Sequence, residues 1–252
     1  MKFDRVIVVG CGGTGSHLID PLVRMLAFHD RGCGDILIVD GDEYESKNSE
    51  RQIFNEAELG KNKALATQAR LNPFEVTALP EFINGEKFSE LVQNKGSLLV
   101  IASVDNHATR NAMIRVLEND GFEDFVFISP GNDYSHGQSV LWVRKNGKDR
   151  TVHPFEKYPG LKEPTDHIPG HSCQVEAVST PQLITANASS ALTVLLSVQA
   201  ILDEKPLYEE VHFDCVRMKM APQGAPVDMS EVKTEVEEVE EVSIFGGDSS
   251  LF

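Results

Sequence analysis

The sequence is poor in cysteine, and its cysteines are not spaced for cross-linking or metal binding. The 252 residues contain four cysteines and no Cys-x-x-Cys pair. A secreted disulfide scaffold is much richer in cysteine, and a four-thiolate zinc site needs paired thiols, so both classes are excluded. We therefore expect reduced thiols, a cytoplasmic location and no structural zinc.

Long apolar runs are absent as well. No stretch approaches the ~18 apolar residues that a membrane span requires. The opening residues 1–13, MKFDRVIVVGCGG, contain no basic start followed by an apolar stretch and a cleavage site. The sequence therefore predicts neither a membrane span nor a secretion signal.

Basic residues are in short supply relative to acidic ones. The chain has 23 Lys and Arg against 39 Asp and Glu, a formal net charge of −16. Proteins that grip nucleic acid need clustered basic side chains, so this class is excluded. Eight acids and one lysine fall within residues 223–252, which we predict to be an acidic, flexible tail after one domain over residues 1–222.

Apolar runs alternate with helix-periodic segments through the first 130 residues. Unbroken runs of this kind are typical of strands buried on both faces, and alternation with helices predicts a parallel sheet. The expected fold is therefore α/β, Rossmann-like and doubly wound, with a mostly parallel sheet. The predicted strands are 5–9, 35–40, 97–102 and 125–128, and the predicted helices are 16–28, 59–71 and 106–117.

The second half of the domain is less regular. Residues 138–144 predict an antiparallel strand at the sheet edge, and 207–220 a late strand. Between them, Lys, Gly, His and Pro interrupt every periodicity over 145–172, which indicates a long, mobile crossover loop. Pro181 then opens an apolar helix over 182–202.

A glycine-rich turn joins the first predicted strand to the first predicted helix. Its glycines, Gly10, Gly12, Gly13 and Gly15, allow a tight turn and bring backbone N–H groups close to a phosphate. The pattern suits a dinucleotide and a nucleoside triphosphate equally, and a plain strand–turn–helix corner is the third reading. Asp40, at the end of the second strand, is placed to accept hydrogen bonds from ribose in either case.

The residues after Asp40 favour the triphosphate. A dehydrogenase needs no group of phosphate-binding side chains there, yet five suitable ones follow: Asn48, Arg51, Gln52, Lys61 and Lys63. A guanidinium and a lysine can hold the β- and γ-phosphates. Asp105 follows the predicted strand 97–102, at the edge where ligands of doubly wound sheets bind. A carboxylate that faces a triphosphate implies a Mg²⁺ ion between them.

In combination these motifs resemble the adenylation domain of E1-like enzymes, the family of ubiquitin-activating enzymes, ThiF and MoeB. The residues that carry the resemblance are Gly10 to Gly15, Asp40-x-Asp42, Asn48-x-x-Arg51-Gln52, Lys63, Asp105-Asn106-x-x-x-Arg110 and Gly137-Gln138. The resemblance implies that Asp40 holds the ribose of ATP and that Asp105 holds Mg²⁺. It further implies phosphate contacts from Asn48, Arg51 and Lys63, with Asp42, Gln52 and Asn106 also in the nucleotide site. Lys61 and Arg110 are expected to complete the cationic pocket.

The implied reaction joins ATP to the C-terminal glycine of a small ubiquitin-like, β-grasp protein. The carboxylate attacks the α-phosphorus, which gives an acyl adenylate and pyrophosphate. The resemblance also implies a homodimer, in which many relatives donate an arginine from an N-terminal helix to the partner's ATP site. Only four residues precede the first predicted strand here, so we expect that arginine to be missing or to come from elsewhere.

Cys173 lies where thioester-forming relatives carry their nucleophile. The pattern from Cys173-x-x-Glu-Ala to Pro181–Asn187 is most similar to bacterial ThiF-type proteins encoded beside ubiquitin-like and E2-like partners, such as those of PRTRC systems. The resemblance implies transfer through a Cys173 thioester to an E2-like protein. An inert thiol is the alternative, which leaves a MoeB/ThiF-type sulfur-carrier activator. His167, His171 and Cys173 allow a weaker metal-site reading.

Two further alternatives stay open at the level of sequence. One is an NAD-dependent oxidoreductase, although no acid–base pair stands out for it, and the other is a scaffold with a decayed site. The tail has three readings: a helix whose valines at 232, 236, 239 and 242 dock on a partner, a strand at 242–245, or a disordered solubiliser.

Overall fold

The fold is built on one large twisted sheet with helices on both faces. The computed structural model describes residues 1–119, 121–168 and 182–229. Within them the strand order is β3-β2-β1-β4-β5-β6-β8-β9, and β7 pairs with β6. The strands are β1 (Arg5–Val9), β2 (Ile36–Val39), β3 (Val76–Leu79), β4 (Leu98–Ala102), β5 (Phe125–Asn132), β6 (His136–Lys145), β7 (Lys148–Asp149), β8 (Leu207–Asp214) and β9 (Lys219–Val227).

The helices cover the sheet in two layers. They are α1 (Gly13–Phe28), α2 (Lys63–Arg70), α3 (Gly85–Val92), α4 (His107–Asn119), α5 (Pro154–Lys157) and α6 (Ile184–Leu202), with 3-10 turns at Ser46–Glu50, Glu56–Glu58 and Pro159–Leu161. One core lies between the sheet and α1, α2 and α6. The other lies between the sheet and α3, α4 and α5. The predicted fold class is therefore confirmed.

The parallel half of the sheet positions the candidate site. β1 lies between β2 and β4, and all three strands are almost entirely buried, as their unbroken β-branched runs require. Because parallel strands end at the same edge, the glycine turn after β1, Asp40 after β2 and Asp105 after β4 meet there.

The antiparallel half departs from the prediction at three points. β6 is an interior strand, since it pairs with both β5 and β8, and not an edge strand. The predicted strand 207–220 is a hairpin of β8 and β9, with a turn between Asp214 and Lys219. β9 continues to Val227, five residues past the predicted domain end at 222. The hairpin turn contains no proline or glycine to interrupt the alternation, whereas β9 contains Pro222, Gly224 and Pro226, which are not typical of a strand.

The predicted crossover loop contains short elements in its described part. β7, α5 and the 3-10 turn Pro159–Leu161 fall within residues 145–168. Phe155 and Leu161 are buried against the sheet and α4. These apolar anchors are too far apart to produce a periodicity, which explains the prediction of a loop. Residues 169–172 of the predicted loop lie outside the described residues.

Helix α6 corrects the expectation about apolar runs. Judged by length and composition alone, α6 is long enough and apolar enough to cross a membrane. Half of it is buried, and it packs against α1 and against β5, β6 and β8, which is the arrangement of a core helix. The sequence analysis also missed β3 and α3, since β3 is a four-residue edge strand with one buried side chain, Val76.

The extent of β9 is testable by truncation. Deleting residues 223–252 removes the pairs Glu210↔Gln223 and Leu207↔Val227. We expect this to cost about 2 kcal/mol, which lowers the Tm by roughly 4–8 °C in a domain of this size. Deleting residues 230–252 keeps every described strand pair and is the matched control. Equal melting temperatures of the two truncated proteins would contradict this boundary.

Candidate active site

The glycine turn is packed so closely that side chains are excluded from it. Gly10 has a φ of 99°, and a Cβ atom there would lie 2.4 Å from the carbonyl oxygen of Ser103. A Cβ atom on Gly15 would lie 2.0 Å from the carbonyl oxygen of Gly10. Ser103 Oγ donates to the carbonyl oxygens of Val9 and Gly10. The turn is thereby fixed to the end of β4.

The N-terminus of α1 remains open at this turn. Its N-cap residue is Gly12, which has no capping side chain, and its first turn contains no acidic residue. The backbone N–H groups and the positive end of the helix dipole therefore point toward the sheet edge without a charged partner from the cap. Such an end is suited to a phosphate group.

Arg51 lies directly over this helix end. It follows the 3-10 turn Ser46–Glu50, and its Nη1 donates to Gln182 Oε1 at 2.8 Å. A Cβ atom on Gly13 would lie 2.7 Å from the same Nη1. The guanidinium and the α1 N–H groups therefore form one electropositive surface.

Asn48 and Gln52 flank Arg51 on the same loop, and both are buried. Asn48 Oδ1 accepts from the backbone N–H of Glu45 at 2.9 Å, so its NH₂ group is the part oriented for a ligand acceptor. The Gln52 amide lies against Gly12, and its buried Oε1 has no hydrogen-bond partner. A bound ligand or water would satisfy that atom.

Asp40 closes the other side of the glycine turn. Its Oδ2 accepts from the Cys11 N–H at 2.6 Å and its Oδ1 from the Asp42 N–H at 2.8 Å. Burial raises the pKa of Asp40, while Lys63 and the two N–H groups act in the opposite direction. Lys63 is buried at the start of α2, and its Nζ lies 3.2 Å from Asp42 Oδ2. The predicted ribose acid and phosphate lysine are therefore neighbours.

The loop between β4 and α4 supplies a second acidic group. Asp105 is exposed at the sheet edge. Asn106 Oδ1 caps α4 by accepting from Thr109 N–H at 2.8 Å, and Asp166 accepts from the N–H groups of His107 and Ala108 at 2.7 and 2.8 Å. The N-terminus of α4 is thus closed by protein side chains, unlike that of α1.

Arg110 does not join the phosphate pocket, which corrects the sequence analysis. Its guanidinium is buried and donates to Ser129 Oγ at 3.0 Å, to the Pro130 carbonyl at 3.0 Å and to the Val104 carbonyl. Burial lowers the pKa of Arg110 to about 10, although Asp105 and Asp166 raise it. Arg110 therefore ties α4 to β4 and β5. Lys61 also differs from Lys63, because it is exposed on the loop before α2.

The structure describes three of the four cysteines and one residue, His167, of the possible metal site. Cys11 and Cys33 are buried, and burial raises the pKa of both thiols, as suits packing residues. Among the described residues, no group of three His, Cys, Asp or Glu could hold a metal ion. Cys173 and His171 lie outside the described residues.

The structure adds three residues that sequence reasoning missed. Gln182 contacts Arg51, Asn187 lies over Gly13, and Asn132 at the end of β5 accepts from Thr14 Oγ1 at 3.3 Å. The available signal was the pair of amides at the start of an otherwise apolar helix. Helical periodicity says nothing of what such amides contact.

These residues together suit the parts of ATP. Arg51, the α1 N–H groups and the Asn48 amide are donors for phosphate, and Asp40 is an acceptor for ribose hydroxyls. Asp105 is a hard oxygen ligand of the kind that Mg²⁺ prefers. Fold and site therefore define a Rossmann-like domain with an open, electropositive helix end at the carboxyl edge of its parallel strands.

The chain belongs to the ThiF family, whose model matches residues 1–218. It is 31% identical over 160 residues to a SAMP-activating enzyme E1 of Haloferax volcanii, over 62% of this chain and 56% of that enzyme. This chain therefore spans little more than half the length of that relative.

Two solved structures share the fold. E. coli MccB, determined with ATP, has a TM-score of 0.59 at 19% identity, over 90% of this chain and 65% of MccB. The E. coli tRNA N6-threonylcarbamoyladenosine dehydratase TcdA has a TM-score of 0.55 at 17% identity, over 80% of this chain and 86% of TcdA.

Replacing Gly13 with alanine tests the geometry over α1. Alanine normally stabilises a helix relative to glycine, but a Cβ atom here would lie 1.7 Å from Asn187 Oδ1 and 2.7 Å from Arg51 Nη1. We expect Gly13→Ala to lower the Tm and to weaken ATP binding at least roughly tenfold, the value of one charge-assisted hydrogen bond. Calorimetry measures both quantities.

Gly34→Ala is the matched control, since no atom lies within 4 Å of a Cβ atom there. A Gly13→Ala protein with the stability and ATP affinity of the Gly34→Ala protein would show that the contacts over Gly13 are unimportant.

Proposed function

We propose that this protein is an E1-like enzyme that uses ATP to activate the C-terminal carboxylate of a small ubiquitin-like protein. The observation that carries the proposal is the Arg51 guanidinium over the open N-terminus of α1. Asp40 on one side and Asp105 on the other supply the ribose and Mg²⁺ positions. Of the three interpretations of the glycine turn, a dinucleotide site, a triphosphate site and a plain turn, the triphosphate site of an adenylating enzyme gives each of these groups a role.

The chemistry follows from positioning. A substrate carboxylate oxygen attacks the α-phosphorus, the bond from that phosphorus to the bridging oxygen breaks, and pyrophosphate leaves. Arg51, Lys63 and the α1 N–H groups hold the β- and γ-phosphates, so the departing charge is already neutralised. Mg²⁺ at Asp105 adds further charge neutralisation when it is bound. The protein supplies no covalent group in this step, and its contribution is orientation and electrostatics.

A cavity of about 360 Å³ beside Arg110 is suited to the tail of the substrate. It lies between the sheet and the segment from α5 to Leu161, and most of its wall is apolar. Phe127, Gly131, Gln138, Val140, Tyr158 and Leu161 are among its lining residues. We propose that the extended, glycine-terminated tail of the substrate occupies this cavity, since it lies beside the start of α4 at His107 and Arg110.

A polar network fixes the roof of this cavity. Glu209 and Glu210 of β8 hold Lys157 at 2.5 and 3.1 Å, and Glu210 also accepts from the Tyr158 hydroxyl. Burial and the neighbouring carboxylates raise the pKa of Tyr158 further above neutral pH. Lys157 and Tyr158, which line the cavity, are therefore held in place by β8. A wall fixed in this way is suited to selecting one substrate tail.

The comparisons support the same class of substrate. The Haloferax volcanii relative is named for activating SAMP, and MccB is known from structures with ATP and with MccA. For this chain, which spans part of those proteins, a ubiquitin-like substrate is our proposal.

We further propose that Cys173 accepts the activated carboxyl group as a thioester. The Cys173 thiolate would attack the acyl carbon and AMP would leave, and an E2-like protein would then receive the acyl group. Cys173 itself is not described. Cys173 lies seven residues after Asp166 and nine before Gln182. Asp166 contacts the start of α4 and Gln182 contacts Arg51, so the segment that contains Cys173 is anchored at the site on both sides.

A homodimer is the assembly we propose. Helix α6 exposes Ile184, Leu192 and Leu196 at helical spacing, and Ile53 is half exposed on the loop beside α1. An apolar stripe of this kind is typical of a surface that a partner covers. A cytoplasmic location, expected from the reduced cysteines, stays a prediction.

Pyrophosphate exchange tests the proposed function. With a glycine-terminated ubiquitin-like protein and Mg²⁺, the wild-type protein should incorporate labelled pyrophosphate into ATP. We expect Arg51→Ala to reduce exchange at least roughly a hundredfold, because a charge-assisted contact to the leaving group is lost. Arg24→Ala removes an exposed arginine of α1 that pairs with Asp20 and should exchange normally. Absence of exchange with every glycine-terminated candidate would contradict the proposal.

Replacing Cys173 separates the two endings of the reaction. Cys173→Ala should keep pyrophosphate exchange and lose the conjugate that reducing agents cleave, since adenylation needs no thiol. Cys215→Ala is the matched thiol control and should keep both. A conjugate that survives in Cys173→Ala would disprove the thioester. Exchange without a conjugate in the wild type would favour the sulfur-carrier alternative.

A further inference from the structure

Two amides at the start of α6 meet the phosphate site. Gln182 Oε1 accepts from Arg51 Nη1 at 2.8 Å, and Gln182 Nε2 donates to the Asn132 carbonyl at 3.0 Å. Asn187 Nδ2 donates to the Leu183 carbonyl at 3.1 Å and lies 3.3 Å from Gln182 Oε1. The two amides are therefore linked to each other and to the end of β5.

The Asn187 side chain is buried and incompletely satisfied. It has no solvent exposure, and its Oδ1 has no hydrogen-bond partner. That oxygen is directed at the first turn of α1, since a Cβ atom on Gly13 would lie 1.7 Å from it and 2.7 Å from Arg51 Nη1. A buried acceptor without a donor lowers stability, so packing alone does not account for asparagine at this position.

Gln182 Oε1 thus accepts from the Arg51 guanidinium and also from Asn187 Nδ2, so Asn187 acts on Arg51 through Gln182. An arginine presents five donors in a rigid planar fork. When Gln182 Oε1 holds Nη1 of Arg51, the remaining donors of the guanidinium are left to form paired hydrogen bonds with a phosphate. Without this acceptor the long Arg51 side chain would lose its fixed orientation.

We propose that Gln182 and Asn187 are positioning residues that hold Arg51 for the β- and γ-phosphates. The proposal rests on the ATP site proposed above and extends it to α6, which none of the nucleotide motifs includes. Gln182 carries the larger share, because it bonds Arg51 directly and anchors to Asn132. Asn132 in turn accepts from Thr14 Oγ1 on α1, so the network joins three elements of the site.

A double-mutant cycle with direct ligand binding tests this proposal. The variants are Gln182→Met, which keeps the side-chain volume and removes its hydrogen bonds to Arg51, Asn132 and Asn187, Arg51→Ala, and the two combined. Titration calorimetry with ATP and with AMP gives the affinities. We expect Gln182→Met to weaken ATP roughly tenfold, as for a hydrogen bond to a charged group. It should leave AMP unchanged, because AMP lacks the phosphates that Arg51 holds.

In the Arg51→Ala background, Gln182→Met should cause no further loss of ATP affinity. Asn187→Leu is the second variant, and we expect a smaller loss with the same selectivity for ATP over AMP. Gln199→Ala, at the far end of α6, is the control and should bind both nucleotides normally. Thermal melts confirm that each variant is folded.

Three results would overturn the proposal. They are unchanged ATP binding in Gln182→Met, an equal loss for ATP and AMP, and an equal further loss in the Arg51→Ala background. In each of these cases the wild type still binds ATP, so the proposed function stands. A wild-type protein that binds no ATP would instead disprove the proposed function.

Discussion

The contact between Arg51 and the open N-terminus of α1 is the interaction on which the rest of the site depends. Two requirements produce it. The glycines at 10, 13 and 15 let β1, β4 and α6 approach the helix end closely, and the absence of a capping side chain leaves the N–H groups of α1 available. The α4 end nearby is closed by Asp166, so of these two helix ends only that of α1 is open to an anion.

Charge is distributed in a way that the net value conceals. The chain is strongly acidic overall, and a large part of the excess lies in residues 223–252. The sheet edge, in contrast, carries positive charge, since Arg51 and Lys63 lie close to the glycine turn. Arg110 does not add to it, because its guanidinium donates to backbone carbonyls. In the described part of the chain, two of the four predicted cations, Arg51 and Lys63, therefore lie at the site together with the open helix end.

Sequence reasoning reached the parallel half of the fold, apart from β3 and α3, and the nucleotide motifs because both depend on local pattern. Buried parallel strands are continuous apolar runs, and residues that follow them meet at one edge. It failed where pairing is non-local: β6 became interior only through β8, and Val227 belonged to the sheet only through Leu207. The role of Gln182 was inaccessible for the same reason, because its partner Arg51 is 131 positions away in the chain.

The central claim is that this surface recognises a triphosphate and not a dinucleotide. Side-by-side calorimetric titration of the wild-type protein with Mg²⁺–ATP, AMP and NAD⁺ tests it most directly. If Arg51 and the α1 N–H groups hold the β- and γ-phosphates, ATP binds at least roughly tenfold more tightly than AMP or NAD⁺. NAD⁺ binding more tightly than ATP, or AMP binding as tightly as ATP, would contradict the account.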